Sequence, residues 1–188
     1  HMLETMVLGL LYEGPLTGYD LKKRIENGPG VFVKVSYGNL YPLLGRLCEK
    51  GHATVAAEME GGRVKKYYSL TAAGKKCFEA WLRAPVDVKE ADSLRLAKIY
   101  FFDRLPEADR RERLAEYRQG IKRYLEELQQ RRENLLSYTN SGQHYFKLAT
   151  LYYGICVLRE TLRWCKCLEQ GRSLEDLLKT DTEEASIC

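Results

Sequence analysis

The stretch Ser36-Tyr37-Gly38-Asn39-Leu40-Tyr41-Pro42, continuing to Lys50, carries two sets of side chains at helical spacing. Leu40, Leu44 and Leu47 form an apolar stripe. Ser36 stands where an N-cap hydroxyl can accept an orphan N–H of the first turn, and Gly51 where a helix commonly ends. Off the stripe lie Tyr37, Asn39, Tyr41, Pro42 and Arg46. A solvated helix face ordinarily carries Glu, Lys and Gln. This one carries flat, hydrogen-bonding side chains and one guanidinium, a set suited to base edges and phosphates. Half-buried packing tyrosines are the competing reading of this helix taken alone. Pro42 lacks an N–H and weakens its own turn.

The flanking elements favour the first reading. Residues 3–12 have helical periodicity, with Leu3, Met6, Val7, Leu10 and Leu11 on one face, and Glu13-Gly14-Pro15 breaks it. Thr17 and Asp20 have the spacing of a capping box that opens a second helix, with Leu21 and Ile25 inward. Asn27-Gly28-Pro29-Gly30 ends that helix, and Val31 to Val35 links it to 36–50. Two short helices joined in this way form a helix-turn-helix. The period then changes. Ala53 to Glu58 reads as a strand, Met59-Glu60-Gly61-Gly62 as a turn and Arg63 to Leu70 as a second strand. A hairpin directly after a helix-turn-helix is a wing, and Arg63, Lys65 and Lys66 make its tip basic. Thr71 caps a helix over 72–83 with Phe78, Trp81 and Leu82 inward.

The second half reads as helical. A short helix over 93–102 ends in Tyr100-Phe101-Phe102, and a long one begins near Pro106 and runs to about Asn140. After Asn140-Ser141-Gly142 a last long helix runs from His144 to about Gln170 and is apolar on more than one face. So few helices cannot cover both faces within one chain, so a second copy is expected to cover it through Leu148, Leu151, Ile155, Leu158 and Leu162. The expected fold is α+β, mostly α. A winged helix over 2–83 with a two-stranded wing is followed by a linker (84–92), an all-α dimerisation domain (93–180) and a tail (181–188).

Charge is unevenly placed. Of 30 basic and 26 acidic residues, residues 1–83 hold twelve and eight, and the remainder is balanced. The excess lies with the Tyr/Asn/Arg helix and fits an anionic partner such as DNA. No apolar run reaches the length of a membrane span and no signal peptide is visible, so a cytoplasmic protein is expected. The six cysteines (48, 77, 156, 165, 167, 188) read as reduced, small hydrophobes, and no metal or cofactor is expected, because Cys165-x-Cys167 lacks zinc-knuckle spacing. No hydrolase, nucleotide-loop, dinucleotide or metalloprotease motif occurs, and the histidines (1, 52, 144) are scattered, so no enzyme is expected. A winged-helix module that binds protein, or a regulator switched by cysteine oxidation, remain the alternatives.

Several segments resemble the PadR family of bacterial transcriptional regulators: Leu8-Gly-Leu-Leu11, Gly14-Pro-Leu-Thr-Gly-Tyr-Asp-Leu21, Leu40-Tyr-Pro42 with Leu47, Gly61-Gly62, Lys66-Tyr-Tyr-Ser-Leu-Thr71 and Gly74. The second half resembles the larger subfamily in pattern, with Arg159-Glu160 in its last helix. The resemblance implies a homodimer that binds a palindromic operator on double-stranded DNA, usually as a repressor, and is often released by a small aromatic compound. The DNA-contacting residues would be Ser36, Tyr37, Asn39, Tyr41, Pro42 and Arg46 on the helix, with Gly61, Gly62, Arg63, Lys65 and Lys66 on the wing. His144, Tyr145, Tyr152, Arg163 and Trp164 are the candidate lining of an effector pocket, with dimer-core packing as their other reading. Tyr37 stands where family members often carry Pro or a small residue, so operator sequence preference does not transfer.

Overall fold

The structure is a computed structural model that describes residues 2–27, 34–138 and 145–178. The expected 28–33 turn and link, the 140–142 break, His144 and the tail lie outside the described residues. The chain divides into two compact units, one of residues up to Ala84 together with Lys89–Pro106, the other of Pro85–Val88 and the residues from Glu107 onward.

The first unit is a winged helix. Helix α1 (Met2–Leu11), strand β1 (Leu16–Thr17), helices α2 (Gly18–Asn27) and α3 (Tyr37–Glu49), strands β2 (Ala53–Glu60) and β3 (Arg63–Leu70) and helix α4 (Ala72–Arg83) follow in order. Met6, Val7, Leu11, Leu21, Ile25, Leu40, Leu44, Leu47 and Phe78 are almost wholly buried and form its core. The helical periodicity turned these residues inward; Leu8 and Leu43 are buried as well, while Leu3 and Trp81, also expected inward, are half-buried. The sheet has three antiparallel strands in the order β1-β3-β2, one more than the two-stranded wing expected. Only Leu16 and Thr17 form the extra strand, paired with Tyr68 and Tyr67, too short a segment to show alternation. The hairpin turn is also tighter than expected. Pairing continues to Glu60 opposite Arg63, and Gly61 and Gly62 alone turn the chain, with φ of 57° and 75°. Both angles are the left-handed values that a two-residue hairpin of this twist requires.

Helix α5 (Asp92–Tyr100) and the 3-10 turn at Phe102–Arg104 also belong to this unit. That differs from the expected domain border, which placed 93–102 with the dimerisation helices. The aromatic run explains the difference. A Cβ on Gly9 of α1 would overlap the Phe101 ring, and Phe101 packs edge-on to Phe78 at 5.1 Å. The buried Lys98 ammonium donates to the Ala84 carbonyl (3.1 Å) at the end of α4 and sits over the Trp81 ring. It thus satisfies a helix C-terminus with a cation.

The second unit pairs α6 (Glu107–Tyr138) with α7 (Tyr145–Gln170). Leu114, Tyr117, Ile121 and Leu128 are its buried residues from α6, and Leu148, Ile155, Leu158 and Cys165 those from α7. A Cβ on Gly154 would press on Leu128, the Cys165 thiol faces the Leu114 carbonyl, and Arg118 pairs with Glu169 at 2.8 Å. Val86 and Val88 are buried too, so part of the expected linker packs on this unit, with Val88 against Gly120.

Of the residues expected at the dimer interface, several already pack within one chain. Leu148, Ile155 and Leu158 are buried within a single chain, and Leu151 and Leu162 are half-buried. They repeat with heptad spacing and form the seam toward α6. What α7 leaves uncovered is a different face: Tyr145 (68% exposed), Phe146 (82%), Tyr153 (73%) and Cys156.

Candidate nucleic-acid interface

Three elements build the candidate interface: the start of α2, the outer face of α3 and the wing. Burial of Leu40, Leu44 and Leu47 fixes the rotation of α3, and its opposite face then turns Tyr37, Asn39, Tyr41, Pro42 and Arg46 to solvent. The first turn is locked by a reciprocal cap. The Asn39 N–H donates to Ser36 Oγ (3.4 Å), and the Ser36 N–H donates to Asn39 Oδ1 (2.8 Å). Asn39 Nδ2 also donates to the Lys34 carbonyl. Asn39 is thus held by the cap on both sides of its amide, which fixes its side chain on the exposed face. Its part is to fix the N-terminus of α3, where free N–H groups and the helix dipole favour a phosphate. The matching cap of α2 is present as expected, with the Asp20 N–H donating to Thr17 Oγ1 (3.1 Å).

Tyr37 and Tyr41 lie one turn apart and stack, with centroids 5.8 Å apart and planes inclined by 25°. The Lys22 ammonium of α2 sits 5.3 Å from the Tyr37 centroid, and the Tyr41 ring lies so close to Gly18 that a Cβ there would collide with it. Both rings are nearly half exposed, 43% and 47%. They are neither core residues nor loose side chains, but a supported platform. Lys22 was missed from sequence because its contact crosses between helices. The cluster Lys22-Lys23-Arg24 was the only available signal.

The wing residues divide by face. Val64, Lys66 and Tyr68 lie on one side of β3, and Arg63, Lys65 and Tyr67 on the other. Lys65 pairs with Glu60 at 2.7 Å, and the Tyr67 hydroxyl donates to the same carboxylate at 2.8 Å. The hydrogen bond from Lys65, with that from Tyr67, holds the Glu60 carboxyl below the usual range, and the Glu60 contact raises Lys65 in turn. Lys65 therefore faces an internal partner and is not the open cation expected. Among the described residues Arg46, Arg63 and Lys66 make no ion pair, so the α3 face and the wing each keep uncompensated cations.

The expected effector residues that are described, Tyr145, Tyr152, Arg163 and Trp164, are spread along α7. Tyr145 and Arg163 are separated by eighteen residues of one helix, about 27 Å at 1.5 Å per residue. Arg163 is held by Glu160 at 2.8 Å and by the Leu177 carbonyl at 3.0 Å, Tyr152 lies under the Arg132 guanidinium, and Trp164 is half-buried.

The sequence profile of the Transcriptional regulator PadR-like family matches residues 7–80, and that of the Virulence activator alpha C-term matches residues 95–170. The Negative transcriptional regulator PadR of Bacillus subtilis (strain 168) is 30% identical over 139 residues, spanning 72% of this chain and 76% of its own. Crystal structures of Bacillus subtilis PadR resemble the chain as well. The complex with operator DNA has a TM-score of 0.44, 25% identity, and coverage of 91% of this chain and 99% of that one. The complex with p-coumaric acid has a TM-score of 0.41, 24% identity, and coverage of 91% and 98%. No helix among the described residues is long and apolar enough to cross a membrane. With its winged helix, its exposed tyrosine platform and its relatedness to the Bacillus regulator, the chain belongs to the PadR family of transcriptional regulators.

Proposed function

We propose that the protein is a cytoplasmic repressor that binds a palindromic operator as a homodimer and releases it on binding a small aromatic effector. The observation that carries this reading is the exposed face of α3, where stacked Tyr37 and Tyr41 stand with Arg46, and the wing adds Arg63 and Lys66; none of the three cations makes an ion pair among the described residues. Tyrosine rings and hydroxyls serve base edges and sugars, and the cations serve phosphates. Repression as the sign of regulation follows the relative's description as a negative regulator.

A single winged helix offers one helix and one hairpin tip. Non-specific binding by such a unit is expected near ~10⁻⁴–10⁻⁶ M at physiological salt. Two half-sites read by a dimer raise affinity through effective concentration. The uncovered face of α7, with Phe146 and Tyr153, supports the joining of two copies there. Footprinting on the DNA upstream of the protein's own gene tests this. Two protected half-sites about one helical turn apart are expected, and a single asymmetric half-site would overturn the dimeric reading.

A further inference from the structure

The two faces of the wing differ in chemistry. Cross-strand partners share a face, so the register sets Val55, Ala57 and Met59 of β2 beside Tyr68, Lys66 and Val64 of β3. Glu58 and Glu60, the only acids of the hairpin, fall on the opposite face, and Glu60 is held there by Lys65 and Tyr67. At its base the acid-free face is closed: Tyr68 is buried, and Tyr41 of α3 lines the same groove as Val64 and Lys66. Asp20, which also lines that groove, accepts from the Thr17 hydroxyl within the α2 cap. Toward the turn, no described residue covers the face. Met59 is 72% exposed and Val64, directly across from it, 66%. Two apolar side chains therefore stand together at the end of a projecting ribbon, one residue from the Gly61-Gly62 turn on either strand.

DNA fits this face. It is continuous with the tyrosine platform of α3 through the groove at Tyr41. Its own charge is Lys66, which makes no ion pair among the described residues, and neither does Arg63 at the turn. A face cleared of carboxylates and flanked by free cations suits a groove walled by phosphates. The minor groove is only about 6 Å wide, and the strands of a ribbon lie about 4.8 Å apart before side chains are added. The ribbon cannot enter, but side chains at its tip can. Methionine is unbranched and flexible, and apolar wedges of this kind part a base step and kink the duplex. We propose that Met59, backed by Val64, enters the minor groove beside the half-site as a wedge that partly unstacks one base step, with Lys66 and Arg63 on the flanking phosphates. The wing then adds sequence preference without reading a base by hydrogen bonds. Pyrimidine–purine steps open most readily, and the guanine N2 amine obstructs the groove. The proposal rests on the DNA-binding reading above and gives it a second source of specificity.

The test uses the full chain and duplexes carrying the upstream half-sites, with the flanking pairs set to A·T, G·C or I·C. Inosine lacks the N2 amine, so I·C resembles A·T in the minor groove and G·C in the major groove. Wild type should bind the A·T and I·C duplexes about tenfold more tightly than the G·C duplex. It should also raise the fluorescence of 2-aminopurine placed at the flanking step, which reports unstacking. Met59→Ala should shrink the preference below about twofold and abolish the fluorescence rise, with an unchanged melting temperature, because the side chain is exposed. Met59→Leu should retain both effects. Equal binding of I·C and G·C duplexes by the wild type, or a Met59→Ala chain that keeps the preference, would overturn the proposal. So would a Met59→Ala chain that changes its sedimentation instead, since a second copy would then cover this face. A wild type without preference for upstream DNA over a scrambled duplex would refute the DNA-binding reading itself, so the two failures are distinguishable.

Discussion

Asn39 and Arg46 sit on the same exposed face of α3 and do different work. Asn39 closes the cap with Ser36, so Asn39→Ala should lower stability by about 1 kcal/mol in urea denaturation. Arg46 supports nothing internal, so Arg46→Ala should change stability by less than about 0.5 kcal/mol while lowering the salt slope of DNA binding by roughly one. The cysteines divide in the same way. Burial, with Glu169 adding to it and Arg118 opposing it, pushes the Cys165 thiol up to about 12. Such a thiol is protonated and inert at neutral pH. Cys77 and Cys156 are exposed, so thiol reagents should label these two in the native protein and reach Cys165 and Cys167 only on unfolding. Raising the folded pKa of Cys165 favours the native state below about pH 8.5, where both states keep the proton, and the benefit is lost as pH rises toward 12. Native-state labelling of Cys165 at pH 7 would contradict its assigned burial.

At the scale of elements, most of the winged helix was legible because its periods are local. The α3 stripe, the Thr17–Asp20 and Ser36 caps and the paired glycines each follow from residues a few positions apart. The two-residue β1 and the attachment of α5 to α1 depend on contacts distant in sequence, Leu16 with Tyr68 and Gly9 with Phe101, and no local period announces them. The platform was half legible. Its tyrosines were visible on the helix, but the Lys22 contact and the diversion of Lys65 to Glu60 arise only once strands and helices meet. The wing supplies its own test. Gly61 and Gly62 occupy left-handed backbone, so Ala at either should cost about 1–2 kcal/mol of hairpin stability. Because the folded Glu60 pKa is depressed, its contacts are present above the ordinary glutamate range and are lost as pH falls through the lower folded value. Wing-tip NMR shifts should therefore titrate with a midpoint below about 4.3. An undisplaced midpoint would mean that the Lys65–Glu60–Tyr67 cluster does not form.

For the whole molecule, α7 carries more apolar surface than α6 covers, and the part left exposed lies around Phe146 and Tyr153. Leucine heptads look alike whether they pack within a chain or between chains, and α6 claims them first. We propose that a second copy covers the exposed Phe146–Tyr153 face. Tyr153→Asp should therefore keep the native fold and shift sedimentation toward monomer. Ile155→Asp should unfold the α6–α7 pair, since a carboxylate in that seam costs several kcal/mol. The central claim, sequence-selective DNA binding through α3 and the wing, is tested most directly by fluorescence anisotropy at physiological salt. Wild type should bind the DNA upstream of its own gene at least about 10³-fold more tightly than a scrambled duplex. The double variant Tyr41→Ala/Lys66→Ala should lose that preference with its fold intact. Equal affinity of the wild type for both duplexes, or a double variant that still discriminates, would contradict it.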